Sequence, residues 1–98
     1  MRIYTLDEIK QTLNPIFSQF GVRKAILFGS YAKGLATENS DIDLLVDSGL
    51  RGLAYYGLLD SVASALRVPV DMIDFTQVQQ NSPVATEIQK SGVQIFEQ

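Results

Sequence analysis

Neither cysteine nor histidine occurs among the 98 residues of this chain. Without cysteine there is no disulfide and no thiolate metal site. Without histidine there is no imidazole-bound zinc, no Ser-His-Asp triad and no histidine acid or base. Any catalysis must therefore use carboxylates, hydroxyls, Lys or Arg side chains, backbone amides or a hard metal ion. The sequence also lacks an apolar run of the roughly 18 residues that a membrane span needs, so we expect a cytoplasmic protein.

Basic residues are also few. The chain has 8 Lys and Arg and 11 Asp and Glu, which gives a net charge of −3. Proteins that bind nucleic acid neutralise its phosphates with a basic face, so we expect no direct nucleic-acid partner. Hydrophobic residues make up 46% and charged residues 19%, which is typical of a folded globular protein. A chain of this length builds one core. We therefore predict a single domain over residues 1–98.

Helical and extended patterns alternate along the chain. Thr5 and Glu8 form a capping-box pattern, which predicts a first helix that ends at Gly21. Pro15 is expected to kink this helix or to divide it into two short ones. Further helices are predicted over 52–66 and 83–90, and strands over 22–28, 40–46, 69–75 and 93–96. This order predicts an α/β fold in which helices flank a small mixed sheet of about four strands.

The first candidate for a functional site is Gly29-Ser30, which follows a buried-strand pattern and precedes a short helical turn that Gly34 closes. Glycine lets the backbone approach a ligand closely, and amides at the start of a helix can bind an anion. The Gly-Lys-Ser/Thr ending of a Walker A loop is absent. The alternative is that Ser30 only caps the turn, as serine often does.

The second candidate is the pair Asp41 and Asp43, whose side chains share one face of a predicted strand. Two ionised carboxylates 6–7 Å apart repel each other by roughly 2–3 kcal/mol at an effective dielectric constant near 20. A cation between them would remove this cost, and Mg²⁺ is suited because it takes oxygen ligands from one or two carboxylates and from substrate phosphates. The alternative is a solvated edge face on which the charges are screened.

A third carboxylate, Asp71, lies on another predicted strand of the same sheet. Beside Asp41 and Asp43 it could complete a metal cage or accept a proton from an attacking hydroxyl. Asp74 has the opposite strand parity, so we expect it on the other face, as a surface charge at the end of the strand.

Together these residues resemble a known family. Gly29-Ser30, ten residues and then Asp41-Ile42-Asp43 match the signature of the DNA polymerase β-like nucleotidyltransferase superfamily. Four fixed residues at this spacing occur by chance in a chain this long on the order of once in a thousand. The longer stretch GSYAKG…SDIDLLV looks like the minimal nucleotidyltransferase (MNT) branch. The resemblance implies the nucleotidyltransferase fold.

The resemblance also implies a role for each residue. Gly29 and Ser30 would hold the β- and γ-phosphates of a nucleoside triphosphate. Asp41 and Asp43 would bind two Mg²⁺ ions, and Asp71 would share one of these ions and activate the acceptor hydroxyl. The reaction implied is transfer of AMP from ATP to a hydroxyl, with release of pyrophosphate.

Lys33 stands where the family often has Arg or Lys, so it could steady the triphosphate, although a solvated lysine on an exposed turn is an equal alternative. In the resembling family the partner is usually a HEPN-domain toxin, which the MNT protein neutralises as an antitoxin by placing AMP on a tyrosine. Residues 50–56 could present an aromatic surface to such a partner. Alternatively, Tyr55 and Tyr56 are ordinary helix residues, one in the core and one half exposed.

Two competing functions remain open from the sequence. The chain could be a non-catalytic antitoxin that neutralises its partner by binding. It could also be a nucleotidyltransferase for a small hydroxylated molecule, although we see no acceptor-binding domain in the sequence.

Overall fold

A computed structural model describes residues 3–98 as four helices and four strands with one short 3-10 turn. The helices are α1 (Leu6–Gln19), α2 (Gly29–Lys33), α3 (Leu53–Leu66) and α4 (Pro83–Ser91). The strands are β1 (Lys24–Phe28), β2 (Ile42–Asp47), β3 (Val70–Asp74) and β4 (Val93–Glu97), and the 3-10 turn is Phe75–Gln77. The alternating order of helices and strands is the one that the sequence predicts.

The four strands form one mixed sheet with the order β3-β2-β1-β4. Strand β1 pairs antiparallel with both β2 and β4, while β2 pairs parallel with β3. The predicted α/β class and small mixed sheet are therefore confirmed. Strand β2 lies between β3 and β1. The burial of its side chains therefore depends on which helices pack against each face of the sheet.

One face of the sheet carries the hydrophobic core. On β2 the side chains of Ile42, Leu44 and Val46 are fully buried, and they pack in one cluster with side chains of α1 and α3. The helix residues of this cluster that are fully buried are Ile9, Leu13, Phe17, Leu58, Val62 and Leu66. The predicted alternation of β2 is thus correct, and it leaves Asp43 and Leu45 on the opposite face.

Helix α1 begins as predicted, because the Thr5 side chain accepts a hydrogen bond from the helix and a capping box is present. The alternative of two short helices is wrong, since α1 runs without a break across Pro15. Leu13 and Phe17 on either side of the proline are fully buried, and this burial offsets the missing backbone hydrogen bond. Gly21, at φ +72°, follows the end of the helix. No helix within residues 3–98 is long and apolar enough to cross a membrane.

Candidate active site

Two of the predicted carboxylates are direct neighbours across the sheet. Asp43 of β2 and Asp71 of β3 are opposite each other in the parallel register, on strands that lie about 4.8 Å apart. Asp41 precedes β2 and shares the strand parity of Asp43. Asp43 is half-buried, whereas Asp41 and Asp71 are exposed. The edge-face alternative is wrong for Asp43, because β2 has a paired strand on both sides.

The neighbouring carboxylates destabilise the ionised form of Asp43. Burial, followed by the charges of Asp71, Asp41 and Glu87, raises the pKa of Asp43 from 3.8 to about 6. Each of these neighbours is negative, so the ionised form of Asp43 is destabilised by repulsion as well as by lost hydration. A cation or a proton relieves the repulsion, and a perturbed carboxylate beside other carboxylates is typical of a functional site.

The backbone at Gly29 lies directly against the Asp43 side chain. A Cβ atom on residue 29 would overlap Oδ2 of Asp43 and would lie 3.1 Å from its Cγ. Gly29 also has φ +73°, a conformation that other residues adopt only with strain. Both the shape and the conformation at this position therefore require glycine. The turn after β1 and the carboxylate on β2 meet because Phe28 and Asp43 are register partners.

Helix α2 begins without a side-chain cap. Its N-cap residue is Phe28, and no side-chain hydrogen bond caps this end. The alternative that Ser30 only caps the turn is therefore wrong, because Ser30 lies inside the helix and is half-buried. Gly34 closes α2 in the left-handed conformation, as the sequence predicts.

Lys33, at the end of α2, forms an ion pair with Glu87 of α4. The Nζ to Oε1 distance is 2.8 Å, and the two side chains are 42% and 34% exposed. Both residues line a cleft of about 670 Å³ between α2 and α4, together with Lys90, Thr86 and three further residues. Sequence reasoning missed Glu87, since no local pattern indicates that α4 returns to the turn after β1.

The expectation for Asp74 was half correct. Asp74 does lie on the core face, opposite in parity to Asp71, but it is 6% exposed rather than a surface charge. Its carboxylate accepts hydrogen bonds from the backbone and hydroxyl groups of Ser48 and Thr76, at 2.7–3.3 Å. Burial alone would raise the pKa of Asp74, but these hydrogen bonds outweigh it and hold the pKa below its usual value. Asp74 thus fixes the loops at the end of the sheet.

The carboxylates could hold a divalent cation only if water and phosphate oxygens supplied its remaining ligands. In the part of the chain that the structure describes, no three His, Cys, Asp or Glu side chains are arranged to hold a metal ion. Charge repulsion acts over longer distances than direct metal ligation. Carboxylates that are too far apart to share a metal ion can therefore still raise the pKa of Asp43. The donor chemistry fits Mg²⁺, which typically takes one or two carboxylates and completes its shell with water and phosphate oxygens. The residues therefore fit a magnesium ion that a phosphate ligand helps to bind.

The start of α3 exposes apolar side chains. Leu53 is 90% exposed and Tyr56 is 65% exposed. Tyr55 is half-buried, its hydroxyl donates to the Met72 carbonyl oxygen at 2.9 Å, and its ring contacts that of Tyr56 edge-on. Tyr55 is thus an ordinary structural residue, while Leu53 and Tyr56 remain candidates for a contact surface.

Known proteins are similar to this chain in sequence. MntA of Thermococcus cleftensis, a protein adenylyltransferase, is 45% identical over 51 residues, which cover 48% of this chain and 52% of MntA. A Methanocaldococcus jannaschii protein provisionally named a protein adenylyltransferase is 35% identical over 78 residues, which cover 74% of this chain and 91% of the relative. The chain spans about half the length of the first of these relatives.

One solved structure has a similar fold, and one family model matches most of the chain. The crystal structure of a toxin–antitoxin with AMP-PNP superposes with a TM-score of 0.76 at 26% identity, over 91% of this chain and 73% of the other. The model of the polymerase beta nucleotidyltransferase family matches residues 11–98. This chain therefore belongs to the polymerase beta nucleotidyltransferase family.

Proposed function

We propose that this protein is a Mg²⁺-dependent nucleotidyltransferase that transfers AMP from ATP to a tyrosine hydroxyl of a HEPN toxin and acts as its antitoxin in the cytoplasm. The observation that carries the proposal is the meeting of Gly29, Asp43 and Asp71 at one end of the sheet. The relatives named protein adenylyltransferase and the AMP-PNP complex of a toxin–antitoxin support the same reaction. The HEPN partner rests on the resemblance of the motif to the MNT branch.

In this reaction the hydroxyl oxygen of the acceptor attacks the α-phosphorus of ATP. The new oxygen–phosphorus bond forms as the bond from the α-phosphorus to the bridging oxygen breaks, and pyrophosphate leaves with the bonding electrons. Asp71 accepts the proton of the acceptor hydroxyl, for which its exposed position on β3 is suitable. Bound Mg²⁺ would neutralise charge on the phosphates and lower the pKa of the hydroxyl.

The other residues bind and orient the nucleotide. Asp41 and Asp43 would hold magnesium together with phosphate oxygens, which relieves the repulsion at Asp43. Gly29 and Ser30 would receive the β- and γ-phosphates, since the absence of a side chain at Gly29 keeps the backbone against Asp43. Lys33 would neutralise part of the phosphate charge. We propose that all these groups belong to the single domain that the sequence predicts for residues 1–98.

The test is transfer of label from α-labelled ATP to a co-purified HEPN partner, followed by its intact mass. The wild type should add one or more AMP units to the partner. Asp41→Ala should abolish the transfer while the unfolding temperature stays within a few degrees of the wild type, because Asp41 is exposed. Asp60→Asn, which removes one charge from the exposed surface of α3, is the matched control and should transfer normally. Normal transfer by Asp41→Ala would contradict the metal assignment.

Neutralisation by binding alone is the second candidate function. It is favoured by the apolar surface of Leu53 and Tyr56 and by the incomplete metal cage. A variant with asparagine at 41, 43 and 71 separates the two functions. If that variant still protects cells from the toxin, binding is sufficient, whereas loss of protection with intact complex formation supports catalysis.

A further inference from the structure

The ion pair between Lys33 and Glu87 joins α2, the helix that begins with Gly29 and Ser30, to α4, the helix that precedes β4. Its 2.8 Å distance is that of a charge-assisted hydrogen bond. Lys33 lies three residues after Ser30 in α2, so the two side chains are neighbours on the helix surface. The ammonium group of Lys33, which we propose to contact the phosphates, is therefore already paired with a carboxylate.

Glu87 also belongs to the electrostatic surroundings of the aspartates. It acts on Asp43 as a like charge, together with Asp41 and Asp71. A nucleotide whose phosphates approach these aspartates would meet Glu87 as a repelling charge and Lys33 as an attracting one. While the two are paired, the attraction that Lys33 can offer is largely cancelled.

We propose that Glu87 competes with the phosphates of the nucleotide for Lys33, so that nucleotide binding requires the ammonium group to move from Glu87 to the phosphates. This inference rests on the function proposed above. The exchange is feasible because the pair is partly exposed and hence weak, whereas the phosphates carry more charge than one carboxylate. Glu87 is thus a positioning residue that lowers nucleotide affinity and keeps Lys33 over the cleft in the free protein.

The test measures binding of AMP-PNP with Mg²⁺ to the full chain by calorimetry. Glu87→Gln should bind about fivefold more tightly than the wild type, equivalent to about 1 kcal/mol. Lys33→Met, which keeps the aliphatic stem, should bind more weakly. The double variant is decisive, because Glu87→Gln should have less than a twofold effect once Lys33 is methionine. Asp60→Asn controls for the change of one net charge and should not alter affinity.

In turnover with ATP, Glu87→Gln should lower KM with little change in kcat, which loss of a merely structural ion pair would not produce. Unchanged or weaker binding by Glu87→Gln would overturn the competition. An equal gain in the Lys33→Met background would also overturn it, because the carboxylate would then act through its field alone. If the wild type itself binds no AMP-PNP, the proposed nucleotidyltransferase function fails. Binding by the wild type without the Glu87 effect contradicts only this inference.

Discussion

The Asp43 carboxylate occupies the space that a side chain on Gly29 would need. Replacing Gly29 by alanine therefore combines two costs, the strain of φ +73° and the displacement of Asp43. The strain costs about 1–2 kcal/mol and overpacking about 1–3 kcal/mol. We expect Gly29→Ala to lose about 3 kcal/mol of unfolding free energy in urea and to lose binding of AMP-PNP.

Gly21→Ala is the matched control, because Gly21 has φ +72° but nothing within 4 Å of an added Cβ. This control should lose only the strain, about 1–2 kcal/mol, and should bind AMP-PNP like the wild type. If the two variants are equally stable and both bind nucleotide, the contact between Gly29 and Asp43 has no consequence for the site.

Asp43 should make the protein less stable as the pH rises. Its folded-state pKa of about 6 lies above the value of 3.8 in the unfolded chain. The folded state therefore binds more protons between these values, and the contribution to stability is full below 3.8 and lost as the pH rises through 6. Asp43→Asn should be more stable than the wild type at pH 7.5, by ~1 kcal/mol once solvent screening is allowed for.

Thermal unfolding from pH 4 to pH 8 measures this effect. The advantage of Asp43→Asn should shrink as the pH falls and disappear near pH 4. Asp60→Asn should run parallel to the wild type throughout, because Asp60 is exposed and lies on α3 rather than on the sheet. An advantage of Asp43→Asn that does not change with pH would mean that packing rather than charge is responsible.

Several features of the fold follow directly from local sequence. The serine at 82 caps α4 and Pro83 takes its first turn, as their order predicts, and the alternation of β2 assigns Asp43 and Leu44 to opposite faces. These features depend on neighbouring residues only. By contrast, Glu87 reaches Lys33 through the packing of α4 against α2, which no local pattern specifies.

The burial of Asp74 also depends on contacts that no local pattern specifies. Its parity correctly predicts its face, but its burial depends on Ser48 and Thr76, which come from the loop after β2 and the turn after β3. A buried carboxylate with four hydrogen bonds cannot be distinguished in the sequence from an exposed one at the end of a strand. The strand order of the sheet has the same nonlocal origin, because it depends on which strands pair rather than on the pattern within each strand.

Removal of the Asp74 carboxylate should be strongly destabilising. Asp74→Ala leaves the amides of Ser48 and Thr76 without their acceptor, and buried unsatisfied donors cost about 1–3 kcal/mol each. We expect a loss of about 2–4 kcal/mol in urea unfolding at pH 7. Asp47→Ala, which removes only the exposed ion pair with Arg23, should cost no more than about 1 kcal/mol. Similar losses in both variants would contradict a special role for Asp74.

The exposed start of α3 should matter for the partner and not for folding. Leu53→Asp changes a side chain that is 90% exposed, so the unfolding free energy should change by less than about 0.5 kcal/mol. If this surface contacts a HEPN partner, the complex should dissociate at least tenfold more readily in pull-down or calorimetry. Leu35→Asp, at a leucine that is 69% exposed in the loop after α2, is the matched control. Equal binding by both variants would exclude Leu53 from the interface.

The repulsion within the acidic cluster can be measured at Asp43 itself. The carboxyl carbon of Asp43, followed by NMR between pH 3 and pH 8, should titrate with a pKa of about 6. Among the neighbouring charges Asp71 has the largest effect, Asp41 the next and Glu87 the smallest. Substitution of each acid by its amide should therefore lower the pKa of Asp43. The decrease should be largest for Asp71→Asn, smaller for Asp41→Asn and smallest for Glu87→Gln. Added Mg²⁺ should lower it as well, because a cation stabilises the ionised form. An Asp43 pKa near 4 that does not respond to Asp71→Asn would show that the two carboxylates are independent, and the shared cation site would then have no electrostatic basis.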